Sequence, residues 1–274
     1  DSNYFKHLTK KTITSCIGSI SECKIKDYEH MQVIPGINYQ ALFHNPANKQ
    51  LLEISLDTLV QHVSGYDVSK PKDIIKSAKY FTLTGSTPQS EYDKCIAELR
   101  DYLLIPTLAI DIETKSENPD IEKAALRFNT NSITSIAFAK NEHEGIAIYF
   151  DNNSKVKEIL KHWFLQRAEI CKSNTSFKNV YHNCLYDVKQ LIFHLFMNNP
   201  ADIPNLLYGI KVMTTNIDDT LLMTYLCTNN TQENTLGLKE NALSFTGQYA
   251  VDVKDISLLP VSVLLEYNLK DVLA

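Results

Sequence analysis

Arginine is scarce in this chain: Arg100, Arg127 and Arg167 are its only arginines among 27 basic residues, and 32 acidic residues outnumber the bases. The formal net charge of -5 excludes a protein that grips nucleic acid by bulk charge, so any nucleic-acid groove must be local. Carboxylates gathered at a metal site would themselves pull the total down. The lysine and asparagine bias fits an AT-rich genome better than any physical need. Cysteine is present six times, as Cys16, Cys23, Cys95, Cys171, Cys184 and Cys227, without a Cys-x-x-Cys pair or a Cys/His cluster at zinc spacing. That pattern indicates neither a structural zinc site nor a compact disulfide framework, and a reducing, non-secretory compartment is the simpler reading. No apolar run approaches a membrane span, and the first residues lack the apolar stretch of a signal peptide. Internal repeats and low-complexity stretches are missing as well.

What remains is a chain of 274 residues, 44% hydrophobic and 22% charged, long enough to bury a sizeable core as a soluble globular protein. It begins with Asp and stops three residues after Asp271, which reads as a piece of something longer. Residues 1–86 give mixed signals and no interpretable motif: apolar patches near Met31 to Ile37, an amphipathic helix from Leu51 to Val63, and turns at Pro35-Gly36 and Ser64-Gly65. They are assigned to an N-terminal accessory region. Gly85-Ser-Thr-Pro88 marks the boundary, and residues 87–274 form the second domain, opening with a helix on which Glu91, Cys95, Leu99, Tyr102 and Leu103 recur.

From Thr107 to Glu113 the chain alternates, with Leu108, Ile110 and Ile112 facing one way and Ala109, Asp111 and Glu113 the other. Two further strands, Ser132 to Ala139 and Gly145 to Phe150, complete an antiparallel meander. Ser154 is expected to cap a helix carrying Val156, Ile159, Leu160, Trp163 and Phe164 on one face. A short strand from Val180 to His182 precedes a helix capped by Asn183 and running to about Met197. Helices are expected from Ile217 to Cys227, from Leu236 to Phe245 closed by Gly247, and from Pro260 to about Leu273. The order gives an α/β domain with a mixed sheet.

Four acids at three separated places carry the chemistry: Asp111 and Glu113 in Asp-x-Glu, Asp187 near a helix start, and Asp271 on the last helix. An Asp-x-Glu on a strand supplies two hard oxygen ligands on one face, as Mg²⁺ requires, and the preceding Leu-Ala-Ile run marks a buried strand where unpaired charge is costly. An isolated pair of this kind is ordinarily a solvated strand end. Asp187 lies four residues after Asn183, where the helix dipole is expected to lower its proton affinity; the bland reading is an N-cap and a dipole-complementing acid. Tyr267 and Asp271 also share a helix face, and a tyrosine there is ordinarily core packing with a wet hydroxyl. Only the combination changes this picture.

Together Asp111-Ile-Glu113, Asn183-Cys-Leu-Tyr-Asp187 and Tyr267-Asn-Leu-Lys-Asp271 resemble the three motifs of the DnaQ-like 3′-5′ exonucleases, in the subclass with tyrosine in the third motif. Glu266 stands where the other subclass has histidine. Ile136-Ala-Phe138, His143-Glu-Gly145, Asp219-Thr-Leu-Leu222 and Leu236-Gly-Leu-Lys-Glu-Asn-Ala242 extend the resemblance, over about residues 90–274, to the proofreading domain of family A DNA polymerases of phage-like or organellar, including plastid, type. The resemblance implies a ribonuclease H-like fold and two Mg²⁺ or Mn²⁺ ions at the terminal phosphate of a single-stranded DNA 3′ end. Asp111 would bridge both ions, Glu113 and Asp271 would complete the first, and Asp187 would act on the second. Tyr267, with Glu113, would orient the attacking water, while Asn183, Thr114 and Tyr186 would contact or position the terminal nucleotide.

Glu117 stands where the polymerase pattern has a wedging leucine, so wedging would fall to Phe128 or Tyr186. Asp219 is read as a cap or a supporting contact rather than a ligand, and His182 as a buried hydrogen-bonding residue. A polymerase domain is expected C-terminal on the same chain, in the cytoplasm of a phage or bacterial system or in an organelle. The alternatives are a stand-alone RNase D-like or RecQ-associated exonuclease and a nucleic-acid-binding module that no longer cuts.

Overall fold

The computed structural model describes residues 2–10, 13, 16–44, 48–65, 73–116, 131–228, 236–246 and 256–274. Backbone contacts divide the chain into two compact units, 1–73 with 239–251 and 74–238 with 252–274. The first contains α1 (Ser2–Thr9), a two-stranded antiparallel pair of β1 (Ser21–Glu22) and β2 (Gln32–Val33), α2 (Ala41–His44) and α3 (Asn48–Val63). The second unit begins before the boundary expected at residue 87, because β3 (Ser77–Thr82) joins its sheet.

After β3 come α4 (Gln89–Tyr102), β4 (Thr107–Ser116), β5 (Asn131–Asn141), β6 (Glu144–Tyr149), α5 (Ser154–Ser173), β7 (Lys178–Tyr181), α6 (Cys184–Leu195), α7 (Ile203–Met213), β8 (Ile217–Asp219) and α8 (Thr220–Thr228). The chain continues through α9 (Leu238–Thr246), which lies in the first unit from its second residue, to α10 (Val261–Leu273). The six-stranded sheet has the order β3-β6-β5-β4-β7-β8. Strands β4, β5 and β6 form the antiparallel meander, while β7 runs parallel to β4, β8 parallel to β7, and β3 parallel to β6. Order, directions and flanking helices are those of an α/β ribonuclease H-like sheet.

Alternation along β4 decides its two faces. Leu108, Ile110 and Ile112 are buried and continue into Phe138 and Ile136, their partners on β5. Helices α4 and α5 contribute to the same core: Phe138 lies 4.9 Å from Trp163 between ring centroids, and the Trp163 indole donates to the Leu99 carbonyl at 2.7 Å. Arg167, also buried, donates to Asn179 Oδ1 and to the carbonyls of Leu103, Pro106 and Lys178. One guanidinium thus satisfies backbone acceptors where the chain leaves α4 and enters β4 and β7, groups that would be costly to bury unpaired.

The opposite face is built from small residues. Ala137 and Ser135 stand across from Asp111 and Glu113, Ala139 from Ala109, and Gly145 and Ala147 follow on β6. Helix α10 packs on this floor against β4, β5 and β6. A Cβ on Gly145 would fall 2.5 Å from the Phe138 carbonyl oxygen and 2.7 Å from Leu269 Cδ1, so the helix seats closely only because that side chain is missing.

Several expected details differ. Asn153, not Ser154, caps α5, its side chain accepting from Lys155 N. Residues 217–219 form β8 before the helix begins at Thr220, and three residues paired on one edge are too few to show a period of two. Helix α7 was not expected, although Asp202 caps it and Pro204 sits in its first turn. Gly247 lies outside the described residues. No described helix is long and apolar enough to cross a membrane.

Substituting Gly145 by valine is expected to lower stability by roughly 1–3 kcal/mol, the usual size of overpacking. Chemical denaturation read by the near-ultraviolet dichroism of the core aromatics checks it. An unchanged midpoint would mean that α10 does not need the small-residue floor.

Candidate metal and nuclease site

Each expected ligand has a structural cause for its position. Asp111 and Glu113 project from β4 on the small-residue face, and the register shifts after Glu113, where Thr134 of β5 is the extra residue. The Thr134 hydroxyl donates to the Glu113 carbonyl at 2.9 Å, fixing the bulge beside the acids. Strand β7 pairs with β4 over residues 107–109, and α6 follows it, bringing Asp187 to the Ile112 amide, which donates to its Oδ1 at 3.3 Å. Asp271 and Tyr267 sit four residues apart on α10. Asp111 and Asp271 line one cavity of about 440 Å³ together with His182, Thr220 and Lys140.

The acids act on one another. Burial first, then the charges of Asp187, Glu113 and Asp271, push the Asp111 carboxyl well above the usual carboxylate range, against a hydrogen bond from Asn268. Asp187 is only 4% exposed, and burial pushes it up to about 7 despite the amide bond from Ile112. The helix dipole was expected to do the reverse. A helix end is worth roughly 0.3–1 kcal/mol, whereas a shift of this size corresponds to roughly 4 kcal/mol, so desolvation wins.

Asn183 stands at the start of α6 in the left-handed region at φ 62, and its exposed side chain makes no capping bond. Asp219 of β8 does that work from another element: its Oδ1 accepts from the Asn183 amide at 3.0 Å and its Oδ2 from the Cys184 amide at 2.9 Å, while Leu221 N also donates to it. Although burial opposes it, a hydrogen bond from the Cys184 thiol and then these backbone bonds hold Asp219 below the usual carboxylate range. An acid set aside as a cap therefore orders the turn that delivers Asp187. Thr114 and Tyr186 meet hydroxyl to hydroxyl at 2.5 Å, across β4 and α6. His182 shares a hydrogen bond with Thr220 Oγ1 at 2.9 Å, and burial lowers it below the usual imidazole range. Glu117 and Phe128 lie outside the described residues.

Sequence reading missed Asn268, which is fully buried and whose Nδ2 donates to Asp111 Oδ2 at 2.6 Å. The signal was present: Asn268 interrupts the inward stripe of Leu264, Leu265, Leu269 and Val272. As placed, no three His, Cys, Asp or Glu side chains among the described residues form a ready ligand group. The donor set nevertheless suits a hard divalent cation, since it consists of carboxylates, one of which burial and then the charge of the others drive toward protonation.

No family model and no curated protein matches the chain. Solved structures that are similar include NrnC of Brucella melitensis with bound Mg²⁺, at 15% identity and a TM-score of 0.42, covering 72% of this chain and 75% of that one. The Nibbler EXO domain of Aedes aegypti aligns at 12% identity and 0.43, over 70% and 81% of the two chains. RNase D of Escherichia coli, an exoribonuclease, aligns at 15% and 0.40, over 71% and 42%. Strand order and direction define the fold class.

Asp187 holds a proton in the folded, metal-free protein up to about pH 7, whereas an unfolded aspartate loses it near pH ~4. The folded state therefore binds more protons across that window, and stability falls as pH rises through it. In chelator, Asp187→Asn is expected to raise the melting temperature above pH 7 and to lose that advantage toward pH 4. Equal gains at both ends would show that Asp187 is not the group being strained.

Proposed function

We propose that this chain is a 3′-5′ exonuclease that removes terminal nucleotides from single-stranded nucleic acid with two divalent ions, Mg²⁺ or Mn²⁺. The observation that supports the reading is the placement of acids from β4, α6 and α10 near Asp111: Asp271 lines the same cavity, Asp187 accepts from the Ile112 amide, and their charges, with that of Glu113, add to the burial that raises Asp111. A fold that gathers anions in a partly dry place works against its own stability. A cation-binding role explains why they are gathered.

Asp111, Glu113, Asp187 and Asp271 would hold the ions, which when bound supply Lewis-acid stabilisation of phosphate charge and make water a usable nucleophile near neutral pH. Tyr267 and Glu113 would orient the attacking water; a phenol hydroxyl suits donating and accepting hydrogen bonds better than proton removal. The Thr114–Tyr186 pair would present an aromatic edge and a hydroxyl beside the acids, and Asn183, exposed at the α6 turn, would contact the terminal nucleotide. His182 would serve as a neutral support for α8 through Thr220.

Within this class we read the chain as a proofreading domain of a family A DNA polymerase, with a polymerase domain following it. The stretches Asp219-Thr-Leu-Leu222 and Leu236-Gly-Leu-Lys-Glu-Asn-Ala242, which resemble that domain outside the three motifs, support the reading. An RNase D-like enzyme would use the same acids, and the substrate separates the two.

A 5′-labelled single strand incubated with Mg²⁺ is expected to shorten stepwise from its 3′ end, with DNA preferred to RNA of the same sequence. Asp111→Asn with Glu113→Gln is expected to slow this at least ~10³-fold, equivalent to roughly 4 kcal/mol of transition-state stabilisation. Shortening that survives both substitutions would remove the catalytic assignment; a preference for RNA would remove the proofreading one.

A further inference from the structure

We propose that Asn268 is a positioning residue that locks the Asp111 carboxylate for cation binding, with Ser135 as its anchor. This rests on the two-ion reading above. Asn268 has no exposed surface, and both ends of its amide are engaged: Nδ2 donates to Asp111 Oδ2 at 2.6 Å, and Oδ1 accepts from the Ser135 hydroxyl at 3.1 Å. Ser135 is itself fully buried and stands opposite Glu113 in the β4–β5 register. The relay thus joins β5, α10 and β4, the last two being the elements that carry Asp111, Glu113, Tyr267 and Asp271.

The chemistry of the amide makes the arrangement one-way. Turned over, Asn268 would set its carbonyl oxygen against Asp111, and in the ionised form that holds a cation this would replace a charge-assisted bond with a repulsion. The Asp111 carboxylate therefore sets which end of the amide faces it, and the Ser135 hydroxyl, able to donate or accept, holds the amide in place by donating to its Oδ1. The bond takes one oxygen of Asp111 and leaves the other for a cation, while neutral Asn adds no fifth negative charge to the group. A hydrophobic residue would pack against the small-residue floor but would let Asp111 rotate, and an aspartate would repel it.

Partners that orient a metal ligand typically change affinity by 10–100-fold when removed. The test is Mn²⁺ titration followed by electron paramagnetic resonance of the free ion, on wild type, Asn268→Leu and Ser135→Ala, at equal folded fraction by far-ultraviolet dichroism. Wild type is expected to bind Mn²⁺, Asn268→Leu about 10-fold or more weakly, and Ser135→Ala with a smaller loss in the same direction. Ser135→Ala decides the matter if Asn268→Leu does not fold, because it keeps the donor and removes only its anchor. Wild-type binding with affinities within about twofold in both variants would overturn the assignment to Asn268 alone. A wild type that binds no Mn²⁺ would overturn the two-ion reading and this inference with it.

Discussion

Like charges drawn toward one patch of a sheet oppose folding, and the architecture of the second unit is organised around tolerating that opposition. Asp111 sits among Asp187, Glu113 and Asp271, in a place dry enough that burial outweighs each of those charges in raising its proton affinity. The compensation is local and specific. A backbone amide serves Asp187 and a side-chain amide serves Asp111, both neutral donors that stabilise an anion without cancelling it. The remaining stability comes from the opposite face, where Phe138, Trp163, Phe164 and the aliphatic side of β4 are packed away from water.

Closeness is obtained by subtraction. Alanines, a serine and a glycine on β5 and β6 remove the bulk that would hold α10 away from the sheet, and the helix in turn carries Asn268 to Asp111 and Asp271 to the same cavity. Arg167 ties down the backbone at the start of β4 by giving its donors to four acceptors. Asp219 does the comparable task for α6, holding the two amides at its first turn from a neighbouring strand. The placement of β4 and α6 therefore depends on side chains outside the group formed by Asp111, Glu113 and Asp187.

The amphipathic alternation of β4, the apolar face of α5 and the spacing of Tyr267 to Asp271 were all legible in the chain, because a period of two or of 3.6 leaves its mark on consecutive residues. Strands β3 and β8 left little mark: the first is a half-exposed edge and the second three residues long. The sense of the Asp187 shift was also hidden, since a helix position implies a dipole but says nothing of how much water the side chain keeps.

From the sequence by itself came the identity of the acids, the strand that pairs two of them and the mixed α/β sheet, for these follow from residue types and local periodicity. Only the tertiary structure decided that Asn268 and Ser135 stand behind Asp111, that Asp219 rather than Asn183 caps α6, and that the second unit begins at Ile74. Hydrogen bonds between residues 133 and 157 positions apart, and the loss of water around a carboxylate, are properties of chain closure that no window of sequence contains.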